Sequence, residues 1–494
     1  MTPRDLPRLG AAEALHFLRL GDFSAEEYAA ALLQRLDACA ELNLTTWTFG
    51  ERVLAQARAV DLARRRGDRL GALAGLPILV KDNIDTVGSP TSAGAPALCN
   101  NHPRRHAPLI QRLLDQGALL LAKTNMHELA LGGTSSNRHF GPVANPWSPD
   151  RIAGGSSGGS AAALAAGVGA VSLGSDTAGS ARIPAAFCGI VGMRPSSAGP
   201  LLPYAASRGV VPLARELDTI GPLGRTTEDL IVLHEAIVGR AVPRANGMAG
   251  MRLGVSKPQH WASLDPEVES VCTDALARLE EAGAAIVDVD LRAVHAEATD
   301  LFWILMTHGI RVDLGGYLKR RVPGVSVEKL LAQVRGADVR YFLEQALRKK
   351  LVPSEVHYAR HDRRAALRAR YTQILADQKL DGIVFPTEPI LAPVIRPAGD
   401  RYDDMIRIGQ EEFPAGLTLI RNTLVTCALG APGVTIPAGL SASGLPVGIE
   451  LDGAPGGDAA LLAAAREIEK VLRAARGPPV LPGDLFATFA AAVA

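Results

Sequence analysis

The sequence predicts an α/β protein, a single large domain over residues 1–494 in which helices flank a central mixed β-sheet. Strand-like and helix-like segments alternate along the chain, which is typical of such folds. Neither an internal repeat nor a low-complexity linker interrupts the alternation, so the chain shows no boundary between smaller domains. The 494 residues, 47% of them hydrophobic, suffice for one large core.

The first elements are predicted from clear local patterns. A helical region covers about residues 1–65, and in it SAEEYAAALLQRLDA places Ser24 and Glu27 as a capping box at a helix start. The apolar run LAGLPILVKDNID then predicts a buried strand that ends at Lys81 and a polar turn. LIQRLLDQGALLLAKTNM predicts a helix, a stop at Gly117 and another strand. This order predicts a β-α-β unit.

The alternation continues through the rest of the chain. Gly159 to Ala166 reads as a helix and GAVSLGSD as a strand, while AGAAIVDVDL and LDGIVFPT are later strands that each follow a long helix. The segment from about 295 to 375 is mostly helical and contains Phe302 and Trp303. We expect this segment to form a layer over a pocket, although its aromatic side chains could equally belong to the core.

Charge and cysteine usage exclude several classes of protein. Lys and Arg number 52 and Asp and Glu 51, so the net charge of +1 offers no basic surface for nucleic acid or an anionic membrane. The five cysteines are scattered without a C-x-x-C pair, which argues against a disulfide framework or a zinc site. The start MTPRDLPRLG lacks a signal-peptide pattern. We therefore expect a cytoplasmic protein with no cofactor and no metal.

The stretch IAGGSSGGSAAAL, residues 152–164, is the most unusual in the sequence. A linker is excluded because a strand precedes the stretch and a helix begins inside it. A nucleotide-binding loop is disfavoured because the Lys-Ser/Thr pair is missing. A nucleophile elbow centred on Ser156 fits G-x-S-x-G formally, and would need a downstream histidine such as His308, His357 or His361.

A second small-residue turn and an oddly placed lysine suggest another chemistry. LGSDTAGSARIPAAFCGIVGMRPS contains Ser180 in a turn whose backbone N–H groups could face a substrate oxygen. Lys81 ends an apolar strand, where burial would lower its pKa and leave it neutral enough to act as a base. The alternative is that Lys81 only pairs with Asp82 or Asp85 at a strand end.

Five motifs occur together and in order: GLPILVKDNIDTVGSPTSAG, AKTNMHELALGGTSSN, GGSSGGSAAALAAG, GSDTAGSARIPAAFCGIVGMRPS and ELDTIGPLGRTTEDL. With these motifs the sequence resembles the amidase signature family over about residues 10–475. The resemblance implies the amidase signature fold and a Ser–cis-Ser–Lys triad. The two serines of the family are 24 residues apart, as Ser156 and Ser180 are here.

The resemblance assigns a role to each matching residue. Ser180 would be the nucleophile, Ser156 the bridging serine after a cis peptide bond, and Lys81 the base. The oxyanion would be held by backbone N–H groups of the nucleophile and of the residues before it: Thr177, Ala178 and Gly179. Support for these loops would come from three further side chains: Ser157, Asp176 and Arg182. The family usually has glycine where this chain has Ala178, which leaves its acyl-group preference open.

The resemblance also implies a reaction. RPSSAGPLLPYAASRGVVPLARELDTIGP and LPVGIELDG are similar to the branch that contains indoleacetamide and mandelamide hydrolases. The expected substrate is a small aryl or arylalkyl carboxamide, cleaved to the acid and ammonia, with Phe302, Trp303 and Met306 near the pocket. Alternatives are hydrazide, carbamate or ureido-compound hydrolysis on the same triad, or an amidotransferase subunit that passes ammonia to a partner. The expected partner is a small-molecule amide, and a homodimer remains an option.

Overall fold

The computed structural model describes residues 5–197, 203–206, 208–245 and 247–474. Both ends of the predicted domain, 1–4 and 475–494, lie outside the described residues, as do 198–202 and 207 of the segment that resembles the mandelamide branch.

The strands in the described part are β1 (Thr45–Thr48), β2 (Pro77–Lys81), β3 (Leu119–Thr124), β4 (Ser136–Asn137), β5 (Gly141–Pro142), β6 (Ala144–Asn145), β7 (Ser148–Ile152), β8 (Val171–Asp176), β9 (Val191–Arg194), β10 (Thr219–Gly224), β11 (Arg252–Val255), β12 (Ala285–Asp288), β13 (Gly382–Pro386), β14 (Met405–Ile408), β15 (Glu411–Pro414), β16 (Gly433–Leu440) and β17 (Pro446–Asp452).

The α-helices there are α1 (Ala11–Leu20), α2 (Ala25–Ala38), α3 (Gly50–Arg66), α4 (Pro108–Asp115), α5 (Gly158–Ala165), α6 (Arg182–Cys188), α7 (Thr227–Val238), α8 (Lys257–His260), α9 (Pro266–Glu281), α10 (Arg292–Gly309), α11 (Gly315–Arg321), α12 (Val327–Gln333), α13 (Ala337–Arg348), α14 (Pro353–Tyr358), α15 (Arg364–Asp377), α16 (Ala415–Thr418), α17 (Leu424–Leu429) and α18 (Asp458–Ala474). Short π-helical turns, Ile310–Leu314 and Ala359–Arg363, join α10 to α11 and α14 to α15.

Eleven strands form one central sheet in the order β1-β3-β2-β8-β10-β9-β16-β17-β13-β11-β12. β2 pairs in parallel with β3 and β8, and β11 in parallel with β12 and β13. The remaining pairs are antiparallel, β10 among them, which lies between β8 and β9. The sheet is therefore mixed, and with its flanking helices it confirms the predicted α/β fold class.

The local patterns read from the sequence are confirmed with one exception: the region predicted to be helical over about residues 1–65 also contains β1 (Thr45–Thr48), which pairs with β3. Ser24 Oγ accepts the Glu27 N–H at 3.1 Å, and the Glu27 carboxylate accepts the Ser24 N–H at 2.7 Å, which completes the capping box of α2. After α4, Gly117 has φ +89°, a left-handed conformation that glycine adopts without strain, and the chain then enters β3. Because β2 and β3 are parallel and α4 lies between them, the β-α-β unit forms as predicted.

The sheet brings the two candidate serine turns close to Lys81. Both β2 and β8 are buried along their whole length, as expected for strands covered on both faces. Their parallel register pairs Val80 with Leu173, so Lys81 and the end of β8 reach the same edge of the sheet. The turn that contains Ser180 begins there.

The segment predicted to be helical holds α10 to α15. α10 packs against α17 and α15. Its Phe302 and Leu305 are buried in the hydrophobic cluster on that side of the sheet. Among the residues that the structure describes, no helix combines the length and apolar character needed to cross a bilayer.

Candidate active site

Lys81 is the buried centre of the site. Its Nζ donates to Ser156 Oγ at 2.6 Å and to Ser175 Oγ at 2.9 Å, and the residue is 0% exposed. Burial lowers the pKa of Lys81 to about 7, although the negative charges of Asp176 and Asp218 act to raise it. A substantial fraction of this lysine is therefore neutral near pH 7.

The two carboxylates that follow Lys81 closely in sequence form ion pairs with other residues. Asp82 lies 3.3 Å from Lys123 Nζ, and Asp85 lies 3.0 Å from Arg321. Pairing of Lys81 with Asp82 or Asp85, the alternative left open by the sequence, is therefore wrong. The hydrogen-bond partners of Lys81 are hydroxyl groups. A hydroxyl can pass on a proton but carries no negative charge that would hold the lysine in its protonated form.

Sequence reasoning missed Ser175 and Asn83 as partners of the lysine. Asn83 Nδ2 donates to Ser175 Oγ at 2.9 Å, and the same oxygen receives the hydrogen bond from Lys81. Because Asn83 occupies one lone pair, Ser175 is held in place whether Lys81 is charged or neutral. The available signal was position alone, since Asn83 follows Lys81 by two residues and Ser175 lies near the end of the next parallel strand.

The glycine-serine loop wraps tightly around Ser156. The peptide bond between Gly155 and Ser156 is cis, as the resemblance predicts. A Cβ on Gly155 would lie 2.8 Å from the backbone nitrogens of Thr134 and Ser135, so no side chain fits there. α5 begins two residues after Ser156, and the Gly158 N–H donates to Ser135 Oγ at 3.0 Å. These contacts fix the loop, and the linker hypothesis is excluded.

Ser180 lies in the next turn and lines a cavity. The N–H of Ser157 donates to the Ser180 carbonyl at 3.1 Å, which ties the two serine turns together. Gly179 has φ +115°, and its N–H points to Asp176 Oδ1 at 3.1 Å. That hydrogen bond occupies the Gly179 N–H in this structure, and the role of Gly179 as an oxyanion donor stays a prediction. The other candidate oxyanion donors are the N–H groups of Ser180, Thr177 and Ala178.

Ala178 occupies the position at which the resemblance leads us to expect glycine, and the turn accommodates its methyl group. Its carbonyl accepts the Thr423 hydroxyl at 2.6 Å, and the residue lines the cavity. A Cβ on the following Gly179 would overlap that same Thr423 hydroxyl. The turn therefore tolerates a methyl group at position 178 but not at 179.

Asp176 and Arg182 brace the turn from behind. Arg182 Nη2 and Arg194 Nη1 lie 3.1 Å and 3.0 Å from Asp176 Oδ1, and Arg182 also pairs with Glu450. Burial acts to raise the pKa of Asp176, but the two guanidinium groups lower it well below its usual range. The carboxylate thus stays charged in a fully buried network, which suits a structural role.

A cavity of about 480 Å³ opens next to Ser180, and its walls are mostly apolar. Four aromatic residues of the segment predicted to cover a pocket line it: Phe302, Trp303, Tyr341 and Phe342. Tyr317 of the same segment does not, and its hydroxyl accepts a hydrogen bond from Asn101 at 2.9 Å. Trp303 and Phe342 stack at 6.3 Å with an interplanar angle of 10°. The volume falls within the ~300–1,000 Å³ common for small-molecule sites.

The opposite wall comes from a part of the chain that sequence reasoning missed. Residues 396 and 400–402, together with 414–417, 419 and 420, line the cavity near the β14–β15 hairpin. Tyr402 stacks on Tyr341 of α13 at 3.9 Å with an interplanar angle of 6°. No sequence pattern in this stretch predicted that it would line a cavity.

One group of side chains in the described part of the chain could share a cation. The ligand atoms of His127, Asp338 and Asp400 lie within 4.8 Å of one another. These atoms are already hydrogen-bonded: His127 Nε2 lies 3.0 Å from Asp338 Oδ2, and Thr134 donates to Asp400. The three residues are far apart in sequence, so the spacing gave no sign of the cluster.

The histidines that an elbow mechanism would need lie elsewhere. His357 and His361 contact each other at 4.6 Å in α14 and the turn after it. Neither they nor His308 belong to the described lining of the cavity around Ser180. The site therefore favours a lysine-based relay over a histidine-based one.

The fold and this site together define a hydrolase that acts on amide bonds. The family model described as Amidase matches residues 27–462, and the chain belongs to the amidase family.

Individual relatives agree with this assignment. The chain is 35% identical to mandelamide hydrolase of Pseudomonas putida, over 96% of this chain and 93% of that protein. It is 33% identical to a glutamyl-tRNA(Gln) amidotransferase subunit of Moorella thermoacetica, over 97% and 99% of the two chains. It also resembles a crystal structure of an amidase with a TM-score of 0.80 and 32% identity, over 94% and 99%.

Proposed function

We propose that this protein hydrolyses a small aryl or arylalkyl carboxamide to the carboxylic acid and ammonia, through an acyl-enzyme on Ser180. The observation that carries the proposal is the 2.6 Å contact between buried Lys81 Nζ and Ser156 Oγ, beside an apolar cavity that Ser180 lines. A lysine with a pKa of about 7 can accept and return a proton at neutral pH.

In the first half of the reaction, neutral Lys81 accepts the proton of Ser156, and Ser156 accepts the proton of Ser180. The Ser180 oxygen attacks the amide carbonyl, and the backbone N–H groups of Thr177, Ala178 and Ser180 hold the oxyanion. The proton returns through Ser156 to the amide nitrogen, the C–N bond breaks, and ammonia leaves.

In the second half, water attacks the carbonyl of the acyl-enzyme. The same relay takes a proton from that water and gives it to Ser180 as the ester bond breaks. The carboxylic acid is released, and Lys81 is again neutral. No other reactant is needed, because water supplies both the hydroxyl group of the acid and the hydrogen of ammonia.

The aromatic wall supports the choice of acyl group. Trp303 and Phe302 face the cavity beside Ser180, and aromatic rings favour edge or offset contacts with another ring. The relative from Pseudomonas putida is named for mandelamide, an amide whose acyl group carries a phenyl ring. Because the leaving group, ammonia, is small, most of the cavity can hold the acyl group of the substrate.

The test is ammonia release from phenylacetamide, indoleacetamide, mandelamide, benzamide, short aliphatic amides and an aryl hydrazide, with carbamates and ureido compounds added. Lys81→Met should be inactive, whereas Ser172→Ala, which removes another buried hydroxyl of β8, should remain active. Turnover of the arylalkyl amides supports the proposal. Turnover of another class alone would retain the amidase chemistry and overturn the substrate, and no turnover of any compound would overturn both.

The Moorella thermoacetica relative favours a second candidate, an amidotransferase component that releases ammonia to a partner. The two functions differ in what the isolated chain does. We expect the purified chain to turn over arylalkyl amides by itself, and size-exclusion chromatography of the active protein shows whether it is a homodimer. Activity on glutamine alone, and only after a partner is added, would favour the amidotransferase.

A further inference from the structure

Asp218 is a buried carboxylate in the motif ELDTIGPLGRTTEDL, to which the reaction above gives no role. It is 4% exposed and immediately precedes β10, the strand between β8 and β9. A carboxylate in the interior needs several donors to be tolerated, so its partners show what it holds together.

The two oxygens of Asp218 hold two different segments. Oδ1 accepts the Thr177 hydroxyl at 2.8 Å, and Thr177 is the first residue of the turn that leads to Ser180. Oδ2 accepts the N–H groups of Leu213 at 2.9 Å and Ala214 at 3.1 Å. Leu213 and Thr177 both line the cavity, so one side chain fixes two of its walls relative to each other.

The Leu213 loop connects in turn to the aromatic wall. A Cβ on Gly309, at the end of α10, would overlap Ala214, so helix and loop are in direct backbone contact. The Arg215 N–H donates to Asp313 Oδ2 at 3.0 Å in the turn that follows α10. Through these contacts Asp218 links the Ser180 turn to α10, the helix that carries Phe302.

The charged groups around Asp218 come from several elements. Arg194 of β9 donates to the Leu217 carbonyl at 2.6 Å, and Asp313 of the turn after α10 acts on Asp218 as a like charge. Burial raises the pKa of Asp218 to about 7, against its three hydrogen bonds, which lower it. The negative charge of Asp218 acts with Asp176 to raise the pKa of Lys81.

We propose that Asp218 is a positioning residue for the hydrolysis: its two carboxylate oxygens align the Thr177 donor turn with the Leu213 wall. This inference rests on the proposed roles of Lys81 and Ser180. Because Asp218 contacts neither the substrate nor the reacting atoms, it acts through Thr177 and the Leu213 loop.

Asp218→Asn removes the negative charge of the side chain and keeps its size and shape. The amide oxygen can still accept the Leu213 and Ala214 N–H groups, and the amide nitrogen can donate to the Thr177 hydroxyl, which also accepts hydrogen bonds. Thr177→Val is the matched variant, because it breaks the link to the turn and leaves the charge of Asp218 in place. Melting temperature and circular dichroism confirm that both variants are folded.

The readout is the rate at which a fluorophosphonate labels Ser180 between pH 5 and 9. In this reaction the Ser180 oxygen forms a bond to phosphorus, fluoride leaves, and the serine proton passes through Ser156 to Lys81. The measurement therefore needs no knowledge of the substrate. If the wild-type protein is not labelled at Ser180, the proposed function fails, and this failure is distinct from failure of the role of Asp218.

With Asp218→Asn, labelling above the midpoint of the acid limb should slow by about threefold only, because the amide keeps a partner for each of the three hydrogen bonds. Thr177→Val should slow labelling about tenfold without moving the midpoint, as expected for a misplaced donor. On an amide substrate, both variants should lower kcat more than they raise KM. A wild-type labelling rate in Thr177→Val would overturn the positioning role, even if Asp218→Asn does not fold.

Discussion

At the scale of residues, the site depends on a lysine whose direct hydrogen-bond partners are hydroxyl groups and not carboxylates. The Asp82 side chain next to it is directed to Lys123, so Lys81 meets only the hydroxyls of Ser156 and Ser175. A lysine paired with a carboxylate would keep its proton, whereas one held by hydroxyls in a dry interior releases it near neutral pH. The ability of Lys81 to act as a base therefore depends on the pairing of Asp82 with Lys123, which leaves Lys81 with hydroxyl partners.

The pH dependence of kcat/KM should report this lysine. Because burial lowers the pKa of Lys81 to about 7 and the reaction needs its neutral form, activity should rise with pH through that value. The measurement is kcat/KM for the best amide between pH 5 and 9, with circular dichroism as a check that the fold is unchanged. An acid limb near pH 4–5 with a plateau through pH 7 would indicate a carboxylate base and contradict the role of Lys81.

The sequence predicted the serines and the lysine because their spacing and flanking small residues are local features. Asp218 could not be predicted in the same way, because its role depends on a hydrogen bond to Thr177, 41 positions away. The hydrogen bond from Gly179 to Asp176 was also missed, since small residues show that backbone N–H groups are accessible but not where they point. Local patterns pointed to the two serines and the lysine, the family resemblance supplied their proposed roles, and only the tertiary fold shows their partners.

At the scale of elements, two segments line much of the cavity next to Ser180. α10 and α13 supply the aromatic wall, and the chain around Asp400 and Tyr402 supplies the facing one. The two walls meet where Tyr341 stacks on Tyr402. Substrate selection is therefore expected to depend on α10 and α13, and access on the contacts that hold α13 in place.

Trp303→Ala should reduce the preference for aromatic acyl groups. Removing the indole takes away a large apolar contact beside the stacked Phe342, worth about 1.5–3 kcal/mol for a ring that depends on it. We expect kcat/KM for phenylacetamide to fall about 10–100-fold, and for a short aliphatic amide to change little. Trp47→Ala, at an exposed position on β1, is the control. An equal loss on both substrates would mean that Trp303 supports the fold and does not select the acyl group.

His127→Gln should loosen α13. Burial alone lowers the pKa of His127, but the nearby carboxylates of Asp338, Asp400 and Glu128 outweigh it and raise the pKa above 6.5. Because the folded pKa is raised, the ion pair with Asp338 is fully formed below pH 6.5 and is lost as pH rises through the raised value. The variant should raise KM for aromatic amides about tenfold at pH 6, and hydrogen exchange should quicken in α13.

The control for this change is His357→Gln, an exposed histidine on α14. It should leave both KM and hydrogen exchange as in the wild type. If His127→Gln also leaves KM and the exchange rate of α13 unchanged at pH 6, the contact with Asp338 does not hold the helix over the cavity.

At the scale of the whole molecule, a buried charge network joins distant parts of the sheet. Arg182 of α6 reaches Asp176 at the end of β8 and Glu450 of β17, while Arg194 of β9 reaches the same Asp176. All four side chains are fully buried. The network therefore connects the nucleophile turn with strands from the C-terminal part of the chain.

Arg182→Met should destabilise the whole protein. It keeps the length of the side chain but leaves Asp176 and Glu450 without their shared partner, a change that costs about 3–5 kcal/mol for a buried pair. Urea unfolding should show the loss, while Arg292→Met, at an exposed ion pair, should unfold like the wild type. A stability equal to the wild type in Arg182→Met would show that the network does not support the fold.

The alternation of helices and strands was visible in the sequence, but the order of the strands was not. β10 enters the sheet antiparallel between β8 and β9, and β17 lies between β16 and β13, placements that depend on long-range pairing. The pairing of Arg182 with Glu450 follows from that order and has no local pattern. The fold class could therefore be predicted, whereas the network behind the active site required the structure.

The most direct test of the proposed mechanism is the partition of product between acid and hydroxamate when hydroxylamine competes with water. Phenylacetamide and methyl phenylacetate have different leaving groups but would form the same acyl-enzyme on Ser180. We predict the same hydroxamate-to-acid ratio from both, and neither product from Ser180→Ala, whose rate should fall by about 10⁴-fold or more. Different ratios from the two substrates, or hydrolysis by Ser180→Ala at the wild-type rate, would contradict an acyl-enzyme on Ser180.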